Sequence, residues 1–545
     1  MLMNAVTLWD SMWKTHDKTK QLLSFAIPSR KEKTLPGKEE SSEQSNEPGN
    51  RSYKKGQMIG LILGPLLFLL AVLFVQPSDL SYEGRMVLAV TLWVATWWIT
   101  EAIPIPATSL LPIILLPILS AVPMADVTAS YGNPIVFLFL GGFMIALAME
   151  KWNLHKRIAL NIISVVGTST SNIVLGFMIA TGFLSMWVSN TAAVMMMIPI
   201  GTAITYQVSQ ALKGSKEDLS AEEEKFSKVL IFAIGYAGTI GGLGTLIGTP
   251  PNIILAGIVS ELYGVQISFG GWMLFAVPVV ILLLLFTWMY LIKIAHPLKI
   301  KTIPGGKELI QNEKASLGRM SFEEKAVSTI FVFAAFMWVS QSFLWKGIIP
   351  GIDDTMVAIA AGVVLFLIPA RKNGGRLLDW GVAKDIPWGI LLLFGGGLAI
   401  AGGFSSTGLA AWLGNQLKVL DGVSLLVMVS VVTLLIMAMT EITSNTATAT
   451  MILPIVASLA LAINVHPYAL MVPAAMAANC AFMLPVGTPP NAIIFATGKL
   501  KITEMVKNGF WVNVFCTFLI IGTVYLLLPL LWGVDLSVFP ESFKS

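Results

Sequence analysis

The sequence predicts an all-α polytopic membrane protein of about eleven transmembrane helices and two re-entrant hairpins, built from two inverted copies of one unit. Three observations carry this. Of 545 residues, 55% are apolar and 12% charged, with a mean hydropathy of +0.77, whereas soluble domains are about 25% charged. Apolar runs near 20 residues long recur along the chain. Two polar motifs, "SNT" and "GTPPN", each occur twice and in the same order.

Residues 1–55 form a mixed polar segment with no compact charged, apolar and cleavable signal, and are expected to be cytoplasmic and without a packed core. The runs Gln57–Gln76, Val87–Ile103, Trp272–Ile294 and Val512–Leu531 are each long enough to cross about 30 Å of hydrocarbon as a helix. A barrel would show short alternating segments instead. A net charge of +4 points to no nucleic-acid partner. Cys480 and Cys516 lie inside apolar runs and read as buried thiols. His16, His155, His296 and His466 fall outside span centres, so no metal cluster is expected, and no GxxxxGK[ST] loop is present to bind nucleotide.

Lys and Arg crowd alternate connections: Arg51 to Lys55, Lys151 to Arg157, Lys213 to Lys228, Lys293 to Lys325, Arg371 to Arg376 and Lys499 to Lys507. The positive-inside rule places these in the cytoplasm. The connections "PSDLSYEG", "VPMADVTASYGN" and "SELYGVQISFGG" then face outward. The pattern predicts a multi-pass protein of the cell membrane, with its N-terminus cytoplasmic and its C-terminus extracellular.

The repeat is longer than its motifs. "LFLGGFMIALA" from Leu138 matches "LLFGGGLAIAG" from Leu392 at an offset of 254, and Ser189 matches Ser444 at 255. Gly248 and Gly487 are offset by 239, and the missing sixteen residues correspond to the charged loop "KGSKEDLSAEEEKFSK" of the first copy. An odd number of crossings separates the two starts, so the copies are inverted, an arrangement that places a site near the bilayer midplane between them.

Each tripeptide lies between two apolar arms, Ile173–Val188 with Ala192–Ile204 and Val423–Ile442 with Ala447–Ala462, which suits a hairpin with an unwound tip. Helix N-termini at such tips attract anions, while hydroxyls, amide oxygens and carbonyls bind hard cations. In "GTPPN" the pairs Pro250–Pro251 and Pro489–Pro490 interrupt an apolar run, with Thr249, Asn252, Thr488 and Asn491 adding polar groups. A lone Ser or Thr in a span usually bonds its own helix. Repetition of both motifs in one register is what sets these apart. Pro104, Pro106, Pro199 and Pro454 read as kinks, the glycine runs as close helix packing, and Glu101 and Glu441 as supports orienting a nearby hairpin.

The two SNT motifs, the two GTPPN motifs and "WITEAIPIPATSLLP" together resemble the divalent-anion/sodium symporter family over about Gly56 to Pro529. The resemblance implies one Na+ held by Ser185, Ser189, Asn190 and Gly248, and a second by Thr440, Thr443, Asn445 and Gly487. It implies that Asn190, Thr191, Asn445 and Thr446 meet the substrate carboxylates, with Ser189, Ser444, Thr488 and Pro489 beside them. It also implies a homodimer in the lipid bilayer whose transport elements slide against a scaffold. The expected division is 56–132 scaffold, 133–260 first transport repeat, 261–386 scaffold helices and a cytoplasmic loop, 387–500 second transport repeat, and 501–545 a last scaffold helix with the outside C-terminus.

The residues agree with that chemistry. No Arg or Lys lies near either motif in sequence, so a dianion would rely on helix ends and bound sodium. No basic residue is left for a third carboxylate, which favours C4 dicarboxylates such as succinate, malate or fumarate. The expected activity is their symport into the cell with at least two Na+; the alternative is a sodium-independent anion exchanger. An enzyme would need a nucleophile with its base or a metal cluster, and neither is apparent.

Overall fold

The computed structural model describes residues 53–119, 122–167, 169–212, 220–298, 306–372, 374–420 and 422–543. The N-terminal segment up to residue 52, and residues 213–219 of the charged loop that offsets the two copies, lie outside the described residues, as do His16 and the basic residues Arg51, Lys213, Lys216, Lys299 and Lys301. Among the described residues every regular element is helical.

Helices α1 (Lys55–Phe74) and α2 (Tyr82–Thr100) pack as a pair, followed by the short α3 (Ile105–Thr108) and α4 (Leu111–Ile118), whose prolines limit their length. Next come α5 (Met124–Tyr131), α6 (Pro134–Lys151), α7 (Leu154–Val166), α8 (Thr170–Ser185), α9 (Asn190–Leu212), α10 (Ser220–Gly242), α11 (Pro250–Tyr263) and α12 (Phe269–Met289). After α13 (Gly306–Ser316), α14 (Phe322–Ser340) and α15 (Asp354–Leu367) come α16 (Trp388–Ser406), α17 (Leu409–Leu417), α18 (Leu425–Thr440), α19 (Asn445–Ala462), α20 (Pro467–Asn479), α21 (Pro489–Ala496) and α22 (Ile502–Trp532).

Among the described residues six helical stretches are long and apolar enough to cross a membrane unaided. That is fewer than the apolar runs suggest, for two visible reasons. The arms α8 and α18 have only 16 residues, and the two proline-interrupted runs are each divided into two shorter helices.

The helices on either side of each SNT tripeptide correspond in the two copies. Arms α8 and α18 are each opened by a serine, Ser169 or Ser424, whose hydroxyl accepts from the amide three residues on. They then exchange parts: α11 of the first copy packs on α19 and α20 of the second, while α21 packs on α9 and α10. The long α12 and α22 pack on each other and against this crossed core. Glycine makes the closest approach possible. A Cβ at Gly241 would collide with the backbone of Gly182, so α8 and α10 touch main chain to main chain. At one end of the bundle Arg157 forks onto Glu324 (Nε to Oε1 2.7 Å, Nη2 to Oε2 3.2 Å), tying α7 to α14, and Lys151 meets Asp379 at 2.6 Å. That ion pair holds the exposed Asp379 carboxyl below its usual range.

Candidate functional site

Both tripeptides fall where one helix stops and another starts. Residues 186–189 separate α8 from α9, and 441–444 separate α18 from α19. Ser189 Oγ accepts the amide of Ala192 at 3.1 Å, which fixes the start of α9. The remaining first-turn amides of α9 and α19 carry the positive end of each helix dipole.

The Pro-Pro pairs stand at the first two positions of α11 and α21, behind Thr249 and Thr488 in extended conformation. Proline suits that position because its missing N–H would have no partner there. The double proline therefore does more than interrupt a run. It leaves the first two positions of these helices without an N–H, so they offer an anion fewer amides than the starts of α9 and α19 do. The unwound stretches are held open by the motif asparagines. Asn252 Nδ2 donates to the carbonyls of Gly242, Leu243 and Thr245 (3.1, 3.1 and 2.8 Å), and Asn491 Nδ2 to those of Ala481 and Leu484 (3.0 Å each).

The two tips share one chemical signature. Ser185 Oγ lies 2.6 Å from Asn190 Oδ1 and 2.5 Å from the carbonyl of Gly238. Thr440 Oγ1 lies 2.7 Å from Asn445 Oδ1 and 2.6 Å from the carbonyl of Ala478. A hydroxyl has one proton, so in each copy two acceptors compete for it and three oxygens converge on a small volume. Such an oxygen cluster fits a hard cation. In the first copy the Gly248 carbonyl lies close by: a Cβ at Gly242 would stand 2.5 Å from Asn190 Oδ1 and 3.1 Å from that carbonyl. In the second, Gly487 lies against the Glu441 carbonyl, 3.1 Å from where its own Cβ would be. Thr443 is turned inward, donating to the Met439 carbonyl at 2.8 Å and meeting Thr448 Oγ1 at 2.6 Å.

A cavity of about 960 Å³ brings the rest together. Ser189, Asn190, Thr191, Gly248, Thr443, Ser444, Asn445, Thr446, Gly487, Thr488 and Pro489 all line it, and only Ser185 and Thr440, fully buried behind the two asparagines, do not. Lys54 and Glu101 line it as well. Lys54 could not be placed there from sequence, because it precedes the first motif by more than a hundred residues. Glu101 ends α2 in a left-handed conformation (φ 48°), and its carboxylate bonds neither hairpin among the described residues, so it borders the cavity rather than supporting a tip. Glu441 does support one. Its carboxylate accepts the amides of Phe482 (2.8 Å), Met483 (3.0 and 3.1 Å) and Leu484 (3.1 Å), and Asn513 Nδ2 at 2.7 Å. A second cavity of about 880 Å³, bordered by Ser268, His466, Trp532 and Asp535, contains none of the motif residues.

Two helical repeats, each with a helix break and an unwound tip at one shared cavity, have the parts of a secondary carrier. The comparisons name the kind. Residues 56–536 match the model of the sodium:sulfate symporter transmembrane region. A sodium-dependent dicarboxylate transporter of Staphylococcus saprophyticus is 57% identical over 497 residues, covering 90% of this chain and 95% of that one. Its counterpart in Staphylococcus aureus strain USA300 is 55% identical over the same shares. The chain belongs to the sodium:sulfate symporter family, the divalent-anion/sodium symporters, and is a carrier rather than an enzyme. Among solved structures, the Alcanivorax borkumensis YdaH transporter has a TM-score of 0.52 at 12% identity, covering 83% of this chain and 98% of that one. Neisseria gonorrhoeae MtrF, from a class of antimetabolite efflux pumps, has a TM-score of 0.52 at 11% identity, covering 88% and 96%. At such identities the likeness is one of fold.

Proposed function

We propose that this protein is a sodium-coupled symporter that brings C4 dicarboxylates such as succinate, malate and fumarate into the cell with at least two Na+ per substrate. The observation that carries the reading is the doubled oxygen cluster of the tips, Ser185–Asn190–Gly238 and Thr440–Asn445–Ala478, set against a shared cavity. Na+ is assigned to Ser185, Ser189, Asn190 and Gly248 in the first copy and to Thr440, Thr443, Asn445 and Gly487 in the second. The carboxylates are assigned to Asn190, Thr191, Asn445 and Thr446, flanked by Ser189, Ser444, Thr488 and Pro489. The hydroxyls of Thr191 and Thr446 hold no hydrogen bond among the described residues and are available to a ligand. Lys54 is the one Lys or Arg on the described cavity wall, at its rim, so the dianion is balanced at depth by sodium and helix ends.

The proposed topology is eleven spans plus two re-entrant hairpins in the plasma membrane, N-terminus inside and C-terminus outside, in a homodimer. On that topology the rim marked by Lys54 is cytoplasmic and the cavity is inward-open. Transport then requires the hairpins and broken helices to slide as one body. We group α12 and α22 with that body, on their packing against the crossed core, rather than with the flanking scaffold expected from the order of elements along the chain.

The test is uptake of labelled succinate by proteoliposomes under an inward sodium gradient, compared with choline outside. Sodium-dependent accumulation above the external concentration is expected. Uptake indifferent to sodium but requiring internal dicarboxylate would replace symport by exchange.

A further inference from the structure

We propose that Asn479 is a positioning residue that couples the two sodium sites, so that filling one raises the affinity of the other. The inference rests on the sodium-symport reading above and adds to it a residue outside both sites.

Asn479 ends α20, a helix otherwise made of apolar residues and Pro, and it is fully buried. A buried amide is retained in such a place when its polar atoms are satisfied. Here they are satisfied across the boundary between the repeats. Asn479 Oδ1 accepts from Thr249 Oγ1 at 2.6 Å, and Nδ2 donates to the carbonyl of Thr239 at 2.8 Å, both in the first copy. Its main-chain carbonyl accepts from Asn445 Nδ2 of the second copy at 3.4 Å.

Each of these partners adjoins or belongs to one of the two oxygen clusters or their assigned ligands. Thr249 is next to Gly248 in the chain. Thr239 is next to Gly238, whose carbonyl belongs to the oxygen cluster of the first tip. Asn445 is itself part of the second cluster, and Ala478, the residue before Asn479, supplies that cluster's carbonyl. A cation drawn into the first cluster must order the Gly248–Thr249 backbone and the end of α10. Ordering them fixes both ends of the Asn479 amide, and with it the carbonyls of Ala478 and Asn479, which accept from Thr440 and Asn445 of the second cluster. The second cation then meets groups already ordered, which is positive coupling through shared ordering.

The link has no twin. Thr239, the first-copy residue facing Asn479, has a buried hydroxyl with no partner among the described residues. One substitution can therefore cut the connection.

The experiment is equilibrium binding of radioactive sodium to the purified full-length protein by scintillation proximity, without dicarboxylate. The wild type is expected to bind with a Hill coefficient above 1. Asn479→Ala and Thr249→Val should each bring it to 1 and weaken mean affinity about fivefold or more. The double variant should be no weaker than Asn479→Ala alone, and Thr249→Ser, which keeps the hydroxyl, should restore the wild-type curve. A purely structural defect would lower the number of sites without changing the Hill coefficient of those remaining. A wild-type Hill coefficient of 1, or wild-type cooperativity in both Asn479→Ala and Thr249→Val, overturns the coupling while leaving sodium binding intact. No sodium binding by the wild type overturns the symport reading, and the coupling with it.

Discussion

Replacing Glu441 by glutamine changes one oxygen to NH2 and little else in shape. The carboxylate receives five contacts from four donors and gives none. If the amide oxygen of Gln takes the place of Oε1, it keeps Phe482, Met483 and Asn513. The new NH2 then faces the amides of Met483 and Leu484, and Leu484 loses its acceptor. An unsatisfied donor costs about 1–3 kcal/mol, and each bond that passes from charged to neutral loses about 1 kcal/mol. Partial relaxation leaves about 3 kcal/mol. That cost falls on the unwound stretch carrying Gly487, hence on the second sodium site. About 3 kcal/mol is about 100-fold in affinity if all of it reaches the site. The half-saturating sodium concentration for succinate uptake should therefore rise by about 10- to 100-fold, with a smaller rise for Asn513→Ala, which removes one donor. Glu441→Gln with wild-type sodium activation would refute the view that this carboxylate shapes the site.

Asn190→Ala and Asn445→Ala should each abolish sodium-dependent uptake while the protein remains folded in the membrane, and Asn161→Ala, on an exposed helix face, should be tolerated; uptake assays with size-exclusion profiles decide. Gly241→Ala drives a methyl group into the Gly182 backbone and should cost about 1–3 kcal/mol, read as a lower melting temperature in detergent. His466, between α19 and α20, is buried, and its Nδ1 accepts the Tyr468 amide at 3.1 Å. Burial pushes its pKa down to about 4, with Asp535 opposing. The unfolded chain, near 6.5, thus binds the proton more readily, so this contribution to stability is complete above about pH 6.5 and is lost as pH falls toward 4. Melting temperature should drop between about pH 7 and 5, and less so in His466→Gln.

The halves and their tips were legible because lipid offers no partner to Ser-Asn-Thr, so the pattern stands out against its apolar arms and does so twice. The clustering of Asn190 with Ser185, and of Asn445 with Thr440, comes from a spacing of five residues across a tip. Asn479 was not legible. It is a single asparagine in an apolar helix, and its partners lie 230 and 240 residues away. The role of the prolines was legible only as interruption, because a proline can end one helix or start the next, and tertiary packing decides between the two. Lys54 and Glu101 reach the cavity through the packing of α1 and α2, which no local pattern encodes.

The first tip also carries Trp187, which packs edge-on against Phe331 (4.9 Å) and lies parallel to Trp338 (6.4 Å) and Phe269 (6.1 Å). Its indole N–H has no hydrogen-bond partner among the described residues. Contacts of this kind are strong in total yet contain no hydrogen bond or ion pair. Between the tip and α14 the protein thus has an aromatic seat, a surface that carries load without a latch.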